Sequence, residues 1–360
     1  MASRVCTIRD DRFLEHKTGL VSLEHPNRLK AIHQMLDTNF SGTLTNIKPE
    51  PAAMDVLELV HTPIYIEKIL KTAEYEFTHL SPDTPASPKT YMAAFLAVGG
   101  CLQALDALMS GRCEAAFALI RPPGHHALPD RASGFCIFNN LGVTALQALC
   151  VYGLDRILIV DWDIHHGNAL QRLFYNQKEI FYFSSHYVFT FPQTGAWEDA
   201  GQGPGLGYTV NVPLFKNLGD EDILHCYRDI LGPIIRNYRP QIILVAAGFD
   251  GHRDDPLGRT DFTEQGYGWL TQLIMDLAAE VGDPPILLAL EGGYDLKALA
   301  GSVREVLRAL IAEEPRAELP HPFTPQGEEL VTKAARIHAE YGVWADRSIR
   351  QETSKNRRML

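Results

Sequence analysis

The stretch 156-RILIVDWDIHHGN-168 joins a run of aliphatic residues to a cluster of polar side chains. Its first half is continuously apolar, which is typical of a strand buried on both faces of a parallel sheet. Its second half holds five side chains that can bind a metal or a proton: Asp161, Asp163, His165, His166 and Asn168. Charge buried at the end of such a strand is costly unless it is paired or bound to a metal. The stretch therefore predicts a core strand with a functional site at its end.

Four more apolar runs of this kind predict further strands: "EAAFALI" (114–120), "EIFYFSS" (179–185), "QIILVAA" (241–247) and "PILLALEGG" (285–293). Helical patterns lie between and around the strands, near 89–110, 139–151, 219–237 and 263–281. Alternation of strands and helices is typical of βαβ units. The sequence therefore predicts an α/β fold with an open, doubly wound parallel sheet flanked by helices.

No internal repeat or low-complexity linker divides the chain, so we expect one domain over residues 1–360. "SPDTPASPKT" (81–90) is predicted to be a loop before a helix. From about residue 315, a Pro-rich connector leads to a final helix over about 326–342, which we expect to form a C-terminal helical extension. The basic stretch "RSIRQETSKNRRML" (347–360) is expected to be a solvated end.

Composition excludes some classes of function. The net charge of −11 disfavours a nonspecific nucleic-acid binder and is compatible with cationic substrates. The charged N-terminal stretch does not resemble a signal peptide, and we expect no apolar run of the ~20 residues needed to span a membrane. The six cysteines are scattered and form no CxxC pair. We therefore expect a cytoplasmic protein with reduced thiols and no membrane or nucleic-acid partner.

Unusual polar groups follow four of the predicted strands. His125 and His126 follow the strand predicted at 114–120, and the polar cluster described above follows the apolar half of 156–168. Asp250 follows the strand at 241–247, and Tyr294 follows the one at 285–293. Because sites in open α/β sheets form at the carboxyl ends of the strands, we expect these segments to meet at one edge.

The residue types at this edge allow a metal site. Asp163, His165 and Asp250 would supply three ligands and leave one position open, which is typical of catalytic zinc. Alternatively, Asp163 or Asn168 could cap a helix that begins near Gly167. Spacing alone leaves both interpretations open, and it does not distinguish zinc from ferrous iron.

Five blocks in order, "RPPGHHA", "GFCIFNN", "VDWDIHHGN", "GFDGHRDDPLG" and "LEGGYDL", resemble the histone deacetylase family. The resemblance extends from about residue 25 to residue 300. It is closest to class II enzymes and their bacterial relatives, since Asn168 stands where class I enzymes have Asp. It implies an arginase/deacetylase-like open α/β sheet.

The resemblance also implies a role for each matched residue. Asp163, His165 and Asp250 would bind one zinc ion. His126 would be the general base and acid, with His125 as its electrostatic neighbour and Tyr294 as donor to the oxyanion. The supporting residues would be Asp161, which hydrogen-bonds His125, and Asn168, which orients His126. His166 is expected to be structural.

Further positions match the substrate tunnel and a second ion site of this family. The implied substrate-binding residues are Gly134, Phe135, Phe191, Leu257 and Gly293, and Arg28 would lie beneath the site. The implied potassium ligands are Asp161, Asp163, His165 and Ser184, in part through backbone carbonyls.

The implied activity is zinc-dependent hydrolysis that removes acetyl or other acyl groups from lysine side chains of proteins or peptides. An acetylpolyamine deacetylase, acting on acetylated small amines, is the main alternative. Leu257 stands where polyamine-specific class IIb enzymes have Glu, which favours acyl-lysine. An arginase-like ureohydrolase would need a second D-x-D, where this chain has Asp250-Gly251-His252. A non-catalytic acyl-lysine binder is disfavoured because the implied metal ligands, the catalytic histidine and the tyrosine are all present. A homo-oligomer could use loops 16–25 and 81–90.

Overall fold

An eight-stranded parallel sheet flanked by helices forms the centre of the protein, as predicted. The structure is a computed structural model that describes residues 5–312 and 318–342. The strands are β1 (Val5–Ile8), β2 (Thr45–Ile47), β3 (Thr78–Ser81), β4 (Thr84–Ala86), β5 (Ala115–Ala118), β6 (Ile157–Asp161), β7 (Ile180–Tyr187), β8 (Thr209–Leu214), β9 (Ile242–Ala247) and β10 (Ile286–Leu290). The α-helices are α1 (Asn27–Asn39), α2 (Met54–Leu57), α3 (Pro63–Leu70), α4 (Thr90–Met109), α5 (Asn140–Cys150), α6 (Asn168–Phe174), α7 (Asp220–Cys226), α8 (Gly232–Tyr238), α9 (Glu264–Ala279), α10 (Leu296–Ile311) and α11 (Pro325–His338).

The order of strands in the sheet places the functional loops together. The order is β2-β1-β5-β10-β9-β6-β7-β8, and every neighbouring pair is parallel. Strands β5, β10, β9 and β6 are therefore adjacent at the centre, although they are far apart in sequence. Their residues are buried along their whole length, as the continuous apolar runs predict. Their carboxyl ends carry the four polar segments to one edge.

Some predicted elements differ from the observed ones. Strand β4 lies inside the stretch 81–90 and pairs antiparallel with β3, so the prediction of a loop is wrong there. The helix predicted over 219–237 consists of α7, a π-helical turn (Tyr227–Leu231) and α8. Strands β1, β2 and β8 were not predicted, because they are short or interrupted by polar residues and proline.

Helix α4 corrects the expectation about apolar length. Among the described residues it is the one helix that is long and apolar enough to cross a membrane by length and composition, with 20 residues. However, 72% of its most apolar 18-residue window is buried inside the protein. It packs against α5 and β5, as a core helix does.

The expectation that all six thiols are reduced is wrong for one pair. Cys6 and Cys113 form a disulfide between the start of the sheet and the segment before β5, with their Cα atoms 6.0 Å apart. The remaining cysteines are free: Cys101, Cys136 and Cys226 are buried, and Cys150 is exposed.

The C-terminal helix predicted over about 326–342 is α11, which begins and ends slightly earlier. It packs against α7 and β8. Residues 313–317 and the basic stretch 347–360 lie outside the described residues. The extent of the domain over 1–360 stays a prediction.

Candidate active site

A cavity opens at the carboxyl ends of the four central strands. Its wall includes nine residues that the sequence singled out: His125, His126, Gly134, Phe135, Asp163, His165, Phe191, Leu257 and Tyr294. Loops that are distant in the chain supply these residues, and the parallel order of the sheet brings them together.

Asp163, His165 and Asp250 form a buried group that fits a divalent cation. One ligand atom from each lies within 4.8 Å of the others. His165 Nδ1 lies 2.9 Å from Asp250 Oδ2 and 3.2 Å from Asp163 Oδ1. Burial lowers the pKa of His165, but Asp250 and Asp163 outweigh it and raise that pKa to about 10. The rise shows that the two carboxylates stabilise positive charge at this place, where a divalent cation fits.

Backbone groups hold the two carboxylates in place. The N–H of Ile164 donates to Asp250 Oδ1 at 3.1 Å, and the N–H of Gly292 donates to Asp163 Oδ2 at 2.9 Å. The alternative capping role is absent, since α6 has Gly167 as its N-cap residue and no side-chain cap.

The two tandem histidines have different partners. His125 Nδ1 lies 3.2 Å from Asp161 Oδ2, and the Tyr182 hydroxyl donates to the same oxygen at 3.0 Å. His126 Nδ1 lies 2.8 Å from Asn168 Oδ1. A carboxylate therefore supports the first histidine, and a neutral amide supports the second.

This difference separates the pKa values of the histidines. Burial lowers the pKa of His125, but the charges of Asp161 and Asp163 raise it to about 10. Burial and the positive charges of His125 and His165 hold the pKa of His126 well below its ordinary value. The arrangement is a neutral imidazole beside a cationic one, with ring centroids 3.9 Å apart. Such a pair can accept a proton at one ring and stabilise negative charge with the other.

Glu291 supports the histidine turn and was missed by sequence reasoning. Its Oε2 accepts the N–H of Gly124 at 2.7 Å and the N–H of His125 at 3.1 Å. Burial raises the pKa of this carboxyl to about 7, although the charge of His125 opposes the rise. The residue stands in the block "LEGGYDL", but nothing in its spacing indicates that its partners are backbone groups 167 residues away.

Arg28 lies beneath the loop that carries Tyr294. Its guanidinium lies 5.0 Å from the centroid of the Tyr294 ring and donates to the carbonyls of Gly293 at 2.6 Å and Glu291 at 2.5 Å. Gly292, rather than the predicted Gly293, lines the cavity. Gly293 instead has a φ of 113°, which favours glycine, and presents its carbonyl to Arg28.

Aromatic residues form the walls of the cavity. Phe135 packs against Tyr294 with ring centroids 5.8 Å apart, and Phe191 packs against His126 at 4.9 Å. Asp83 also lines the cavity and accepts the N–H of Gly134 at 3.1 Å. Sequence reasoning missed Asp83 because it treated the whole stretch 81–90 as a plain loop.

Ser184, the predicted potassium ligand, lies directly opposite Asp161 in the sheet. Its Oγ lies 2.9 Å from His186 Nδ1. The potassium site itself stays a prediction.

Two further histidines lie outside the metal group. His166 bonds Thr194 and Gln171. His252 faces Glu264 at 3.2 Å.

The fold and the site together define an α/β protein with a candidate metal centre next to two histidines that hydrogen-bond to Asp161 and Asn168. Residues 22–310 match the histone deacetylase domain model. A solved structure, the HDA15 HD domain, is similar with a TM-score of 0.87 and 34% identity, over 96% of each chain. The chain belongs to the histone deacetylase family.

Similar proteins include a histone deacetylase, a polyamine deacetylase and a bacterial amidohydrolase. Histone deacetylase 15 of Arabidopsis thaliana is 36% identical over 94% of this chain, which spans 62% of that protein. Polyamine deacetylase HDAC10 of Homo sapiens is 35% identical over 84% of this chain and 46% of the relative. The histone deacetylase-like amidohydrolase of Pseudomonas aeruginosa is 32% identical over 82% of both chains.

Proposed function

We propose that this protein is a zinc-dependent amidohydrolase that removes acetyl or other acyl groups from lysine side chains of proteins or peptides. The observation that carries this proposal is the convergence of the metal group, the paired histidines and Tyr294 on one aromatic-walled cavity. Such a cavity suits an extended aliphatic chain that ends in an amide, because aromatic walls pack against the methylene stem.

Asp163, His165 and Asp250 would hold one zinc ion. When bound there, zinc polarises the amide carbonyl and acidifies a water molecule. We assign Asp161 and Ser184, with backbone carbonyls, to a separate potassium ion.

His126 acts as the general base and then as the general acid. Because the Oδ1 of Asn168 accepts a hydrogen bond, Nδ1 of His126 carries the proton and Nε2 is left free to accept one. The low pKa of His126 keeps this nitrogen unprotonated before the reaction. The ring takes a proton from the attacking water and delivers it to the leaving amine.

His125 and Tyr294 stabilise the charge that develops. Asp161 keeps His125 cationic, so the ring lowers the cost of negative charge beside it. Tyr294 lines the cavity, and its hydroxyl donates to the oxyanion of the tetrahedral intermediate. Phe135 and Phe191 hold the stem of the acylated side chain.

An acetylpolyamine is the second candidate substrate, favoured by the similarity to polyamine deacetylase HDAC10. Against it stands Leu257 in the cavity wall, since an apolar residue offers nothing to a second ammonium group. A cytoplasmic location and a homo-oligomer remain predictions.

A deacylation panel with metal quantified in the same sample tests the proposal. The substrates are an acetyl-lysine peptide, acetylspermidine and peptides with longer acyl chains. We expect hydrolysis of the acetyl-lysine peptide with one zinc per chain, and loss of both zinc and activity in Asp250→Ala. Faster turnover of acetylspermidine would identify a polyamine enzyme. Peptide binding without hydrolysis by the zinc-loaded protein would identify a non-catalytic binder, and two ions per chain would favour an arginase-like site.

A further inference from the structure

The carboxylate of Asp255 lies behind Tyr294 and joins two loops of the cavity wall. Asp255 is only 6% exposed. Its Oδ2 accepts the N–H of Tyr294 at 2.6 Å and the N–H of Asp295 at 3.1 Å. Its Oδ1 accepts the N–H of Leu257 at 3.0 Å. One buried side chain therefore ties the backbone of Tyr294 to that of a second residue of the wall.

Arg28 and Asp163 hold the two glycines before Tyr294, through the carbonyl of Gly293 and the N–H of Gly292, and Asp255 holds the N–H of Tyr294 itself. Among the described residues, no other group bonds its N–H, and its hydroxyl has no partner. Two glycines precede Tyr294, and glycine restricts the backbone least. The ring contacts with Phe135 and Arg28 are packing contacts, which are weakly directional. The position of the hydroxyl thus depends on the backbone anchor at residue 294.

The anchor also meets the start of α10. Asp295 is the N-cap residue of this 16-residue helix. Its own side chain accepts the N–H groups of Lys297 and Ala298, and the positive end of the helix dipole also favours the nearby carboxylate of Asp255. The carboxylate of Asp255 therefore holds the backbone of Tyr294 at a fixed place relative to the start of α10.

We propose that Asp255 is a positioning residue that sets the place of the Tyr294 hydroxyl at the reacting carbonyl. The inference rests on the proposed amide hydrolysis, and it assigns to Asp255 a function that acts through Tyr294. A carboxylate can accept all three N–H groups, whereas an asparagine side chain has one accepting oxygen and an NH₂ that repels the remaining donor. Asp255→Asn therefore releases part of the loop without adding bulk.

The first test compares Asp255→Asn with Asp254→Asn. The control makes the same charge change at the adjacent residue, whose side chain is 70% exposed. We expect Asp255→Asn to lower kcat ~10- to 100-fold with a small change in KM, because misplacing a group that acts in the transition state lowers kcat. Asp254→Asn should retain wild-type kcat. Equal kcat in wild type and Asp255→Asn would overturn the proposal.

The second test separates positioning from a general structural effect. In a Tyr294→Phe background the hydroxyl is already absent, so Asp255→Asn should lower kcat by less than about threefold. If the effects of the two substitutions on kcat multiply, Asp255 does not act through the hydroxyl and the proposal is wrong.

The third measurement needs neither activity nor a stable variant. In the wild-type protein, hydrogen exchange at the amides of Tyr294 and Asp295 should be as slow as in the first turn of α10, and fast exchange there would overturn the anchor. An inactive wild type with slow exchange would refute the proposed function and leave the anchor in place. An active wild type with fast exchange would refute the positioning role alone.

Discussion

Replacing Tyr294 by phenylalanine removes one hydroxyl and leaves the ring contacts intact. Among the described residues that hydroxyl has no hydrogen-bond partner, so its loss leaves no buried group unpaired. The ring keeps its contacts with Phe135, 5.8 Å away, and with Arg28, 5.0 Å away. We therefore expect the free energy of unfolding to change by less than about 0.5 kcal/mol.

The effect on catalysis should be far larger. In the proposed mechanism the hydroxyl donates to charge that develops only in the transition state, so its loss should lower kcat and change KM little. Removal of one such donor typically costs about 10²–10³ in kcat, which corresponds to about 2.7–4 kcal/mol. The ratio of the two effects is the signature of a residue that serves the reaction and not the fold.

Steady-state kinetics on an acetyl-lysine peptide, with metal content and denaturant unfolding of the same samples, measure both effects. Tyr65→Phe is the matched control, because the Tyr65 hydroxyl donates to the carbonyl of Ile137 at 2.7 Å in a buried site. That variant should lose about 1 kcal/mol of stability and keep its activity. Wild-type turnover in Tyr294→Phe would refute the mechanism, and so would a loss of stability equal to that of Tyr65→Phe.

Three other changes test the cavity wall at Gly134, the buried histidine His61 and the cavity residue Leu257. Gly134→Ala places a Cβ against the His126 ring and 2.8 Å from Phe191, at a φ of 56°. Because His126 is displaced, kcat should fall at least ~10-fold, and wild-type kcat would contradict this. Burial lowers the pKa of His61 from 6.5 to about 4, so the unfolded state binds the proton more tightly and stability falls as pH drops below 6.5. Between pH 7.5 and pH 5, the free energy of unfolding should fall by about 2 kcal/mol less in His61→Gln than in the wild type. An equal fall in both proteins would refute that. Leu257→Glu should raise kcat/KM for acetylspermidine relative to the peptide about fivefold, as one exposed charge pair allows, and an unchanged ratio would contradict it.

The sequence predicted the central strands and the residues at their ends because both have strong local signatures. Runs such as 157–161 are too apolar to lie anywhere but in the core, and parallel packing places their carboxyl ends at one edge. The residue types that bind metals or carry protons are recognisable from their chemistry, so Asp163, His165 and Asp250 could be grouped before any geometry was known. The strands β1 and β8 were not predicted because threonine, asparagine or proline interrupts their apolar pattern.

Tertiary structure alone decided what supports these residues. Asp255 and Glu291 were overlooked because they bind backbone N–H groups, which every residue except proline has and which therefore leave no mark in sequence. The same holds for Asp83, which accepts the N–H of Gly134. The stretch 156–168 thus determined by itself a buried strand with candidate metal ligands at its end. The identity of each partner depended on the order of strands in the sheet, because that order decides which distant loops become neighbours.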